Sequence, residues 1–70
     1  MKLRYEFPPD KVQRGIRWLE LEAADGGVFV YQFEDIDAPC KWDNFYADLE
    51  DALSDWEAVG VSRSDWYEVE

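Results

Sequence analysis

The stretch DNFYADLEDALSDWEAV, residues 43–59, decides the fold that this sequence predicts. At about 100° per residue, its apolar side chains fall within one arc of roughly 140°, which is wide enough to face a core. These side chains are Phe45, Tyr46, Leu49, Ala52, Leu53, Trp56 and Val59. We therefore predict one amphipathic helix over residues 43–59, with Asp43 or Asn44 as its N-cap and with Gly60 ending it in the left-handed conformation.

Both flanks of this predicted helix are acidic, and no Lys or Arg lies within it. The acids are Asp48, Asp51 and Asp55 on one side and Glu50 and Glu57 on the other. Like-charged neighbours on a helix each cost about 0.2–0.5 kcal/mol. The acids are either a solvated face that keeps a small protein soluble or a face that a basic partner neutralises. Cations from elsewhere in the chain that folded over the helix would remove the need for such a partner.

Length and charge limit the classes of function. The 70 residues predict a single small domain, 1–70, with a formal net charge of −10. Four Trp, four Tyr and four Phe supply apolar area that argues against disorder. The negative charge disfavours direct binding to nucleic acids and to anionic membranes, because their phosphates would be repelled. A basic protein surface is the natural electrostatic complement.

Groups suited to catalysis or metal binding are sparse. The chain has no histidine, so the usual base, triad partner and imidazole ligand are missing. Cys40 is the single cysteine, and a small chain without a disulfide framework fits a reducing cytoplasm. The acids lack the spacing of a calcium loop, and the first residues lack the apolar segment of a secretory signal. We therefore predict a cytoplasmic protein that is not an enzyme and has no cofactor and no metal.

Alternation predicts the strands. Residues 2–7 alternate strictly between polar and apolar side chains, which is typical of a half-buried strand. Residues 15–24 and 28–35 predict a hairpin joined by Asp25-Gly26-Gly27. Residues 66–69 predict a short last strand, which we expect to pair with the first strand, with Tyr67 and Val69 inward and Trp66 outward.

The register of the hairpin can be argued from its side chains. A two-residue loop would pair Glu22 with Phe29 and so place carboxylates among aromatic rings. A three-residue loop instead pairs Ala23 with Phe29 and Leu21 with Tyr31, and it collects the apolar side chains on one face. Because a slip of one residue reverses every side chain, we predict the three-residue loop, with Gly27 at positive φ.

The element order β-β-β-α-β predicts an α+β fold in two layers, with a four-stranded, mostly antiparallel sheet and the helix on one face. The sheet residues of the predicted core are Leu3, Tyr5, Phe7, Leu19, Leu21, Phe29, Tyr31, Phe33, Tyr67 and Val69. The uncovered face would then expose Trp18, Val28 and Val30. These are either scattered exposed hydrophobic residues or a patch for dimerisation or partner binding.

The function predicted from these features is that of a small acidic inhibitor that masks a basic site on a partner protein. It would be an immunity protein or antitoxin, or a DNA mimic such as an anti-restriction or anti-CRISPR protein. The alternative is a non-catalytic oligomeric structural or accessory protein that self-associates, for example as a homodimer, through the uncovered sheet face. The predicted partner-binding residues are Asp35, Asp37, Asp48, Glu50, Asp51, Asp55 and Glu57, with Trp18, Trp42 and Trp66 as anchors if they are exposed.

Overall fold

The computed structural model describes residues 1–69. They form an α+β fold with one antiparallel sheet of five strands and one α-helix. The strands are β1 (Lys2–Glu6), β2 (Trp18–Ala24), β3 (Gly27–Phe33), β4 (Trp42–Tyr46) and β5 (Tyr67–Val69), and the helix is α1 (Leu49–Glu57). The strand order is β4-β3-β2-β1-β5, and every neighbouring pair is antiparallel. The predicted pairing of the last strand with the first is confirmed.

The main correction to the predicted element order is the strand β4. The sequence predicts a loop and the start of the helix here, whereas residues 42–46 pair with residues 28–32 of β3. The same five residues also alternate, with Asp43 and Phe45 on one face of the sheet and Trp42, Asn44 and Tyr46 on the other. A short segment with aromatic residues fits the period of a helix and that of a strand. The strand forms here because β3 has a free edge to which residues 42–46 hydrogen-bond.

The helix consequently begins later than predicted. Asp48, and not Asp43 or Asn44, is the N-cap, and its Oδ1 accepts a hydrogen bond from the amide of Asp51 at 2.9 Å. The C-terminal end agrees with the sequence, because Gly60 has φ of 102° and the amide of buried Val61 donates to the Trp56 carbonyl at 3.0 Å. The nine-residue helix α1 packs mainly against β3 and β4. Because the sheet has five strands and not four, the predicted four-stranded, two-layer arrangement is only partly correct.

The predicted register of the hairpin is wrong. The turn has two residues, Asp25 and Gly26, and Glu22 faces Phe29 as Glu20 faces Tyr31. The side chains of Leu19, Leu21, Val28 and Val30 are therefore the buried ones. Phe29, Tyr31 and Phe33 lie on the opposite, uncovered face.

Strand β1 supplies the reason that carboxylates lie among aromatic rings. Lys2 faces Glu22 and Arg4 faces Glu20 across the β1–β2 ladder. The Lys2 ammonium lies 3.4 Å from Glu20, and the Arg4 guanidinium lies 3.9 Å from the same carboxylate. Lys2 also lies 3.9 Å from the Glu22 carboxylate, so cations from a strand outside the hairpin compensate both of the acids that argue against this register in the sequence.

The core lies between the inner face of the sheet and α1. Its buried members are Tyr5, Ile16, Leu19, Leu21, Val28, Val30, Ala52, Val61 and Trp66. Leu3 and Phe7 pack against this cluster, as the alternation of the first strand predicts. The inward assignment of Tyr67 and Val69 is wrong: Tyr67 faces Arg4 and Val69 faces Lys2 on the uncovered face, while Trp66 is buried.

Candidate protein-binding face

Acidic side chains lie around one edge strand of the sheet. Strand β4 is at the edge of the sheet and pairs with β3 alone among the residues that the structure describes. Asp48 follows β4 closely, and Asp55 is hydrogen-bonded to Tyr46 of β4, so this flank of α1 adjoins the strand. We use the name β4 face for two adjoining groups of residues: Asp43 and Phe45 on the uncovered side of β4, and Asp48, Asp51 and Asp55 on the helix flank beside it.

The four carboxylates of the β4 face have no cation within 4.0 Å in residues 1–69. Two of them have structural roles, since Asp48 caps the helix and Asp55 accepts a hydrogen bond from the Tyr46 hydroxyl at 2.5 Å. Burial, and then this hydrogen bond, raise the pKa of Tyr46. Neither role removes the negative charge, so the negative potential around β4 can attract a cationic ligand.

The other acidic flank of the helix is different, because Arg63 folds over it. The Arg63 guanidinium makes a paired contact with the Glu50 carboxylate, and its Nε lies 3.6 Å from Glu57. It also donates to the Ser54 hydroxyl at 2.9 Å. The hydrogen bond from Arg63 lowers the pKa of Glu50. Glu50 and Glu57 are therefore already compensated within the chain, which narrows the acidic face to the flank beside β4.

On the uncovered side of the sheet, Phe45 of the β4 face belongs to an aromatic cluster. The Phe45 ring is 58% exposed and lies 5.1 Å from the ring of Phe29, which is 36% exposed. Phe29 in turn stacks on Tyr31 at 6.0 Å. Burial, and then the charges of Glu22 and Asp43, raise the pKa of Tyr31. The cluster therefore combines apolar contact area with the negative charge of Asp43, which has no cation partner in residues 1–69.

The structure disperses the remaining predicted site residues. Asp35 and Asp37 lie in the segment between β3 and β4, at the opposite end of β4 from Asp48. Trp18 is half-buried on the uncovered face opposite Phe33. Trp42 is 41% exposed at the start of β4, with the Lys41 ammonium 4.9 Å from its ring.

Trp66 is not available as an anchor. Its side chain is only 8% exposed, and its ring lies 6.1 Å from that of buried Tyr5. The prediction that Trp66 points outward is wrong because the predicted last strand has its two faces exchanged relative to the structure.

The sequence prediction does not place Phe29, Tyr31 and Phe45 on the uncovered face, where the structure has them. The predicted register places Phe29 and Tyr31 in the core, and the predicted helix places Phe45 there. The signal that could have placed them is the dipeptide Asp25-Gly26 between two alternating runs, which favours a two-residue turn. The separation of polar from apolar side chains favours the other register and outweighs this signal when the hairpin is considered alone.

Other classes of site find little support in the described part of the chain. Within residues 1–69, no group of three or more acidic or cysteine side chains is placed to hold a metal ion. Cys40 is exposed and carries a free thiol. None of the helices in this range is long and apolar enough to cross a membrane.

Comparisons with protein-family models, with curated proteins and with solved structures found no match to this chain. Its function is therefore inferred from its own residues.

Proposed function

We propose that this chain is a small acidic inhibitor that binds a basic partner protein and masks its cationic site. One observation carries the proposal: four carboxylates without a cation partner in residues 1–69 lie around an edge strand that also exposes Phe45. Unpaired charge of one sign speeds association with an oppositely charged partner, and an exposed ring supplies contact area that slows dissociation.

The dimensions favour an immunity or antitoxin type of inhibitor over a DNA mimic. A nine-residue helix is about 14 Å long at 1.5 Å per residue. Over that length, duplex DNA carries about eight phosphates at one charge per 1.7 Å, whereas this flank carries three carboxylates. Capping of a compact cationic cleft requires fewer charges than imitation of a duplex. The free thiol of Cys40 is consistent with action in a reducing cytoplasm.

The test is a change of charge that preserves the structural roles of these acids. In the variant D48N/D51K/D55N, the amide oxygen introduced at position 48 can still cap the helix. The amide oxygen introduced at position 55 can still accept a hydrogen bond from Tyr46. The matched control, E6Q/D10N/E68K, changes the net charge by the same amount at exposed acids that lie outside β4 and α1.

The measurement is capture of basic proteins from the native lysate on each immobilised variant, followed by affinity at two salt concentrations. The wild type and the control should retain one basic partner, and its affinity should fall as salt rises. The β4-face variant should lose binding by tenfold or more, the scale of one lost charge-assisted hydrogen bond. Equal retention by the two variants would exclude the β4 face as the contact.

Self-association is the second candidate, and the observed register favours it. The uncovered face carries Phe29, Tyr31, Phe33 and Phe45, a more apolar set than the predicted Trp18, Val28 and Val30. Sedimentation equilibrium distinguishes the candidates. A salt-insensitive dimer that F29S/F45S dissociates would support an oligomeric accessory protein, whereas a monomer at all concentrations supports the inhibitor.

A further inference from the structure

A groove lies on the inner side of the sheet, beside the C-terminal end of α1. Its volume is about 590 Å³. Because α1 packs mainly against β3 and β4, the rest of the inner face is bordered by the segment between β1 and β2. The apolar lining consists of Tyr5, Phe7, Ile16, Trp42, Trp56 and Val59. Grooves of roughly 300–1,000 Å³ with apolar walls and a few polar groups are typical of small-molecule sites.

Two cations stand at this groove, Lys11 and Arg14. Of the seven Lys and Arg residues in the chain, four form ion pairs within residues 1–69, namely Lys2, Arg4, Lys41 and Arg63. Lys11, Arg14 and Arg17 have no such pair in that range. In a protein of net charge −10, two uncompensated cations beside an aromatic groove point to a negatively charged ligand.

The backbone at Arg14 is an independent observation. Arg14 has φ of 56° and Gly15 has φ of 79°, in a turn closed by the hydrogen bond from the Ile16 amide to the Gln13 carbonyl at 2.9 Å. Arg14 is the one non-glycine residue of the described chain with positive φ. Turns with positive φ at both central positions favour Asn or Gly, so an Arg at the first position is held there against its backbone preference. Such residues concentrate at ligand sites.

We propose that this groove binds a small amphipathic monoanion, an aromatic carboxylate or sulfonate. The ring system packs against Trp42, Trp56 and Phe7, and the anionic group is bound by Arg14 and Lys11. Asp10 and the C-terminal end of α1 also border the groove and add negative potential, which disfavours polyanions. This site is separate from the inhibitor function, since none of the β4-face residues lines the groove.

The test compares a matched pair of probes. 8-Anilinonaphthalene-1-sulfonate is an aromatic monoanion, and N-phenyl-1-naphthylamine has the same rings without the sulfonate. Fluorescence titration should show the anion binding at least tenfold more tightly than the neutral probe, the scale of one charge-assisted hydrogen bond. Equal affinity would overturn the assignment of an anionic ligand.

A matched pair of variants tests the role of Arg14. R14G removes the guanidinium and relieves the positive φ, so its urea midpoint should equal or exceed that of the wild type. R17Q removes one positive charge outside the groove lining. R14G should lower the affinity for the anionic probe about tenfold, whereas R17Q should change that affinity by less than about twofold. An equal loss of affinity in both variants would show that only the overall charge matters, and it would overturn the proposed contact with Arg14.

The four tryptophans locate the bound probe. Trp42 and Trp56 line the groove, Trp18 lies on the uncovered face, and Trp66 is buried in the core outside the lining. In ¹H–¹⁵N spectra, the indole N–H signals of Trp42 and Trp56 should shift on addition of the sulfonate probe. Shifts confined to Trp18 would place the probe on the uncovered face and overturn the proposal.

Discussion

The Tyr46 hydroxyl lies 2.5 Å from Oδ2 of Asp55, so one hydrogen bond joins the edge strand β4 to the helix α1. It joins two elements that the sequence predicts to be one continuous helix. The same contact holds an otherwise uncompensated carboxylate of the β4 face in place. Stability and the candidate binding surface are therefore linked at this pair.

Removal of this hydroxyl should weaken the protein. Tyr46→Phe leaves Asp55 without its partner, and we expect a loss of roughly 1 kcal/mol, because bonds to charged groups contribute about 1.5–3 kcal/mol when buried and less when exposed. Urea unfolding at neutral pH measures it. An unchanged free energy of unfolding would show that the bond adds nothing to stability.

The pH dependence of stability should change as well. Burial and the Asp55 bond raise the pKa of Tyr46 above its ordinary value of 10.0, so the neutral hydroxyl is favoured in the folded state. The resulting contribution to stability is fully present below the pKa that Tyr46 has in the unfolded chain. It is lost as the pH rises toward the higher pKa of Tyr46 in the folded state. Urea unfolding between about pH 9 and 11 should show a shallower decline for Tyr46→Phe than for the wild type. Parallel curves would contradict the prediction.

Gly27 is packed beneath an aromatic ring, and enlargement of this residue should be costly. A Cβ at Gly27 would overlap the Phe45 ring and approach the Tyr46 carbonyl oxygen. We expect Gly27→Ala to destabilise the protein by about 1–3 kcal/mol. Thermal unfolding of the double variant G27A/F45A tests the cause, since loss of the ring should recover part of that energy. Strict additivity of the two changes would exclude a clash.

Arg63 should control the titration of Glu50. The hydrogen bond from Arg63 lowers the pKa of Glu50, so the stability it provides is present above the unfolded pKa and is lost as pH falls through the lowered value. In Arg63→Gln, the pKa of Glu50 should move up toward its ordinary value of 4.5. A ¹³C-detected titration of the side-chain carboxyl measures this shift. An unchanged midpoint would mean that the ion pair is not populated in solution.

The register of the hairpin can be tested with two substitutions at neighbouring residues. Val30 is fully buried, so Val30→Ala should cost about 2 kcal/mol or more. Phe29 lies on the uncovered face, so Phe29→Ala should cost about 1 kcal/mol, the scale of its contacts with the Phe45 and Tyr31 rings. The register predicted from the sequence would reverse this order. Urea unfolding of the two variants therefore distinguishes the observed register from its one-residue slip.

Predictions that depend on a strictly local pattern are confirmed by the structure. The alternation of residues 2–7 predicted β1 and its inward side chains, and Gly60 predicted the end of the helix. Both depend on the period of a single segment or on the backbone freedom of one residue. The prediction of a helix at residues 43–46 is wrong because the spacing of their side chains fits a helix and a strand equally well.

The candidate contact surface was predictable in its charge and less so in its position. Asp48, Asp51 and Asp55 share a flank of α1, as the helical period requires. The compensation of Glu50 and Glu57 depended on Arg63, a residue beyond the helix. The exposure of Phe29 and Phe45 depended on the register and on the pairing of β4.

The net charge, the α+β class and the acidic helix flank could be read without coordinates, because they follow from composition and from the period of contiguous residues. Which face of β3 is buried emerged from the assembled sheet alone, since Lys2 and Arg4 of β1 neutralise the acids that the observed register places among the rings. The side chains of the hairpin alone favour the slipped register, and the observed register is stabilised when a third strand brings its charges alongside.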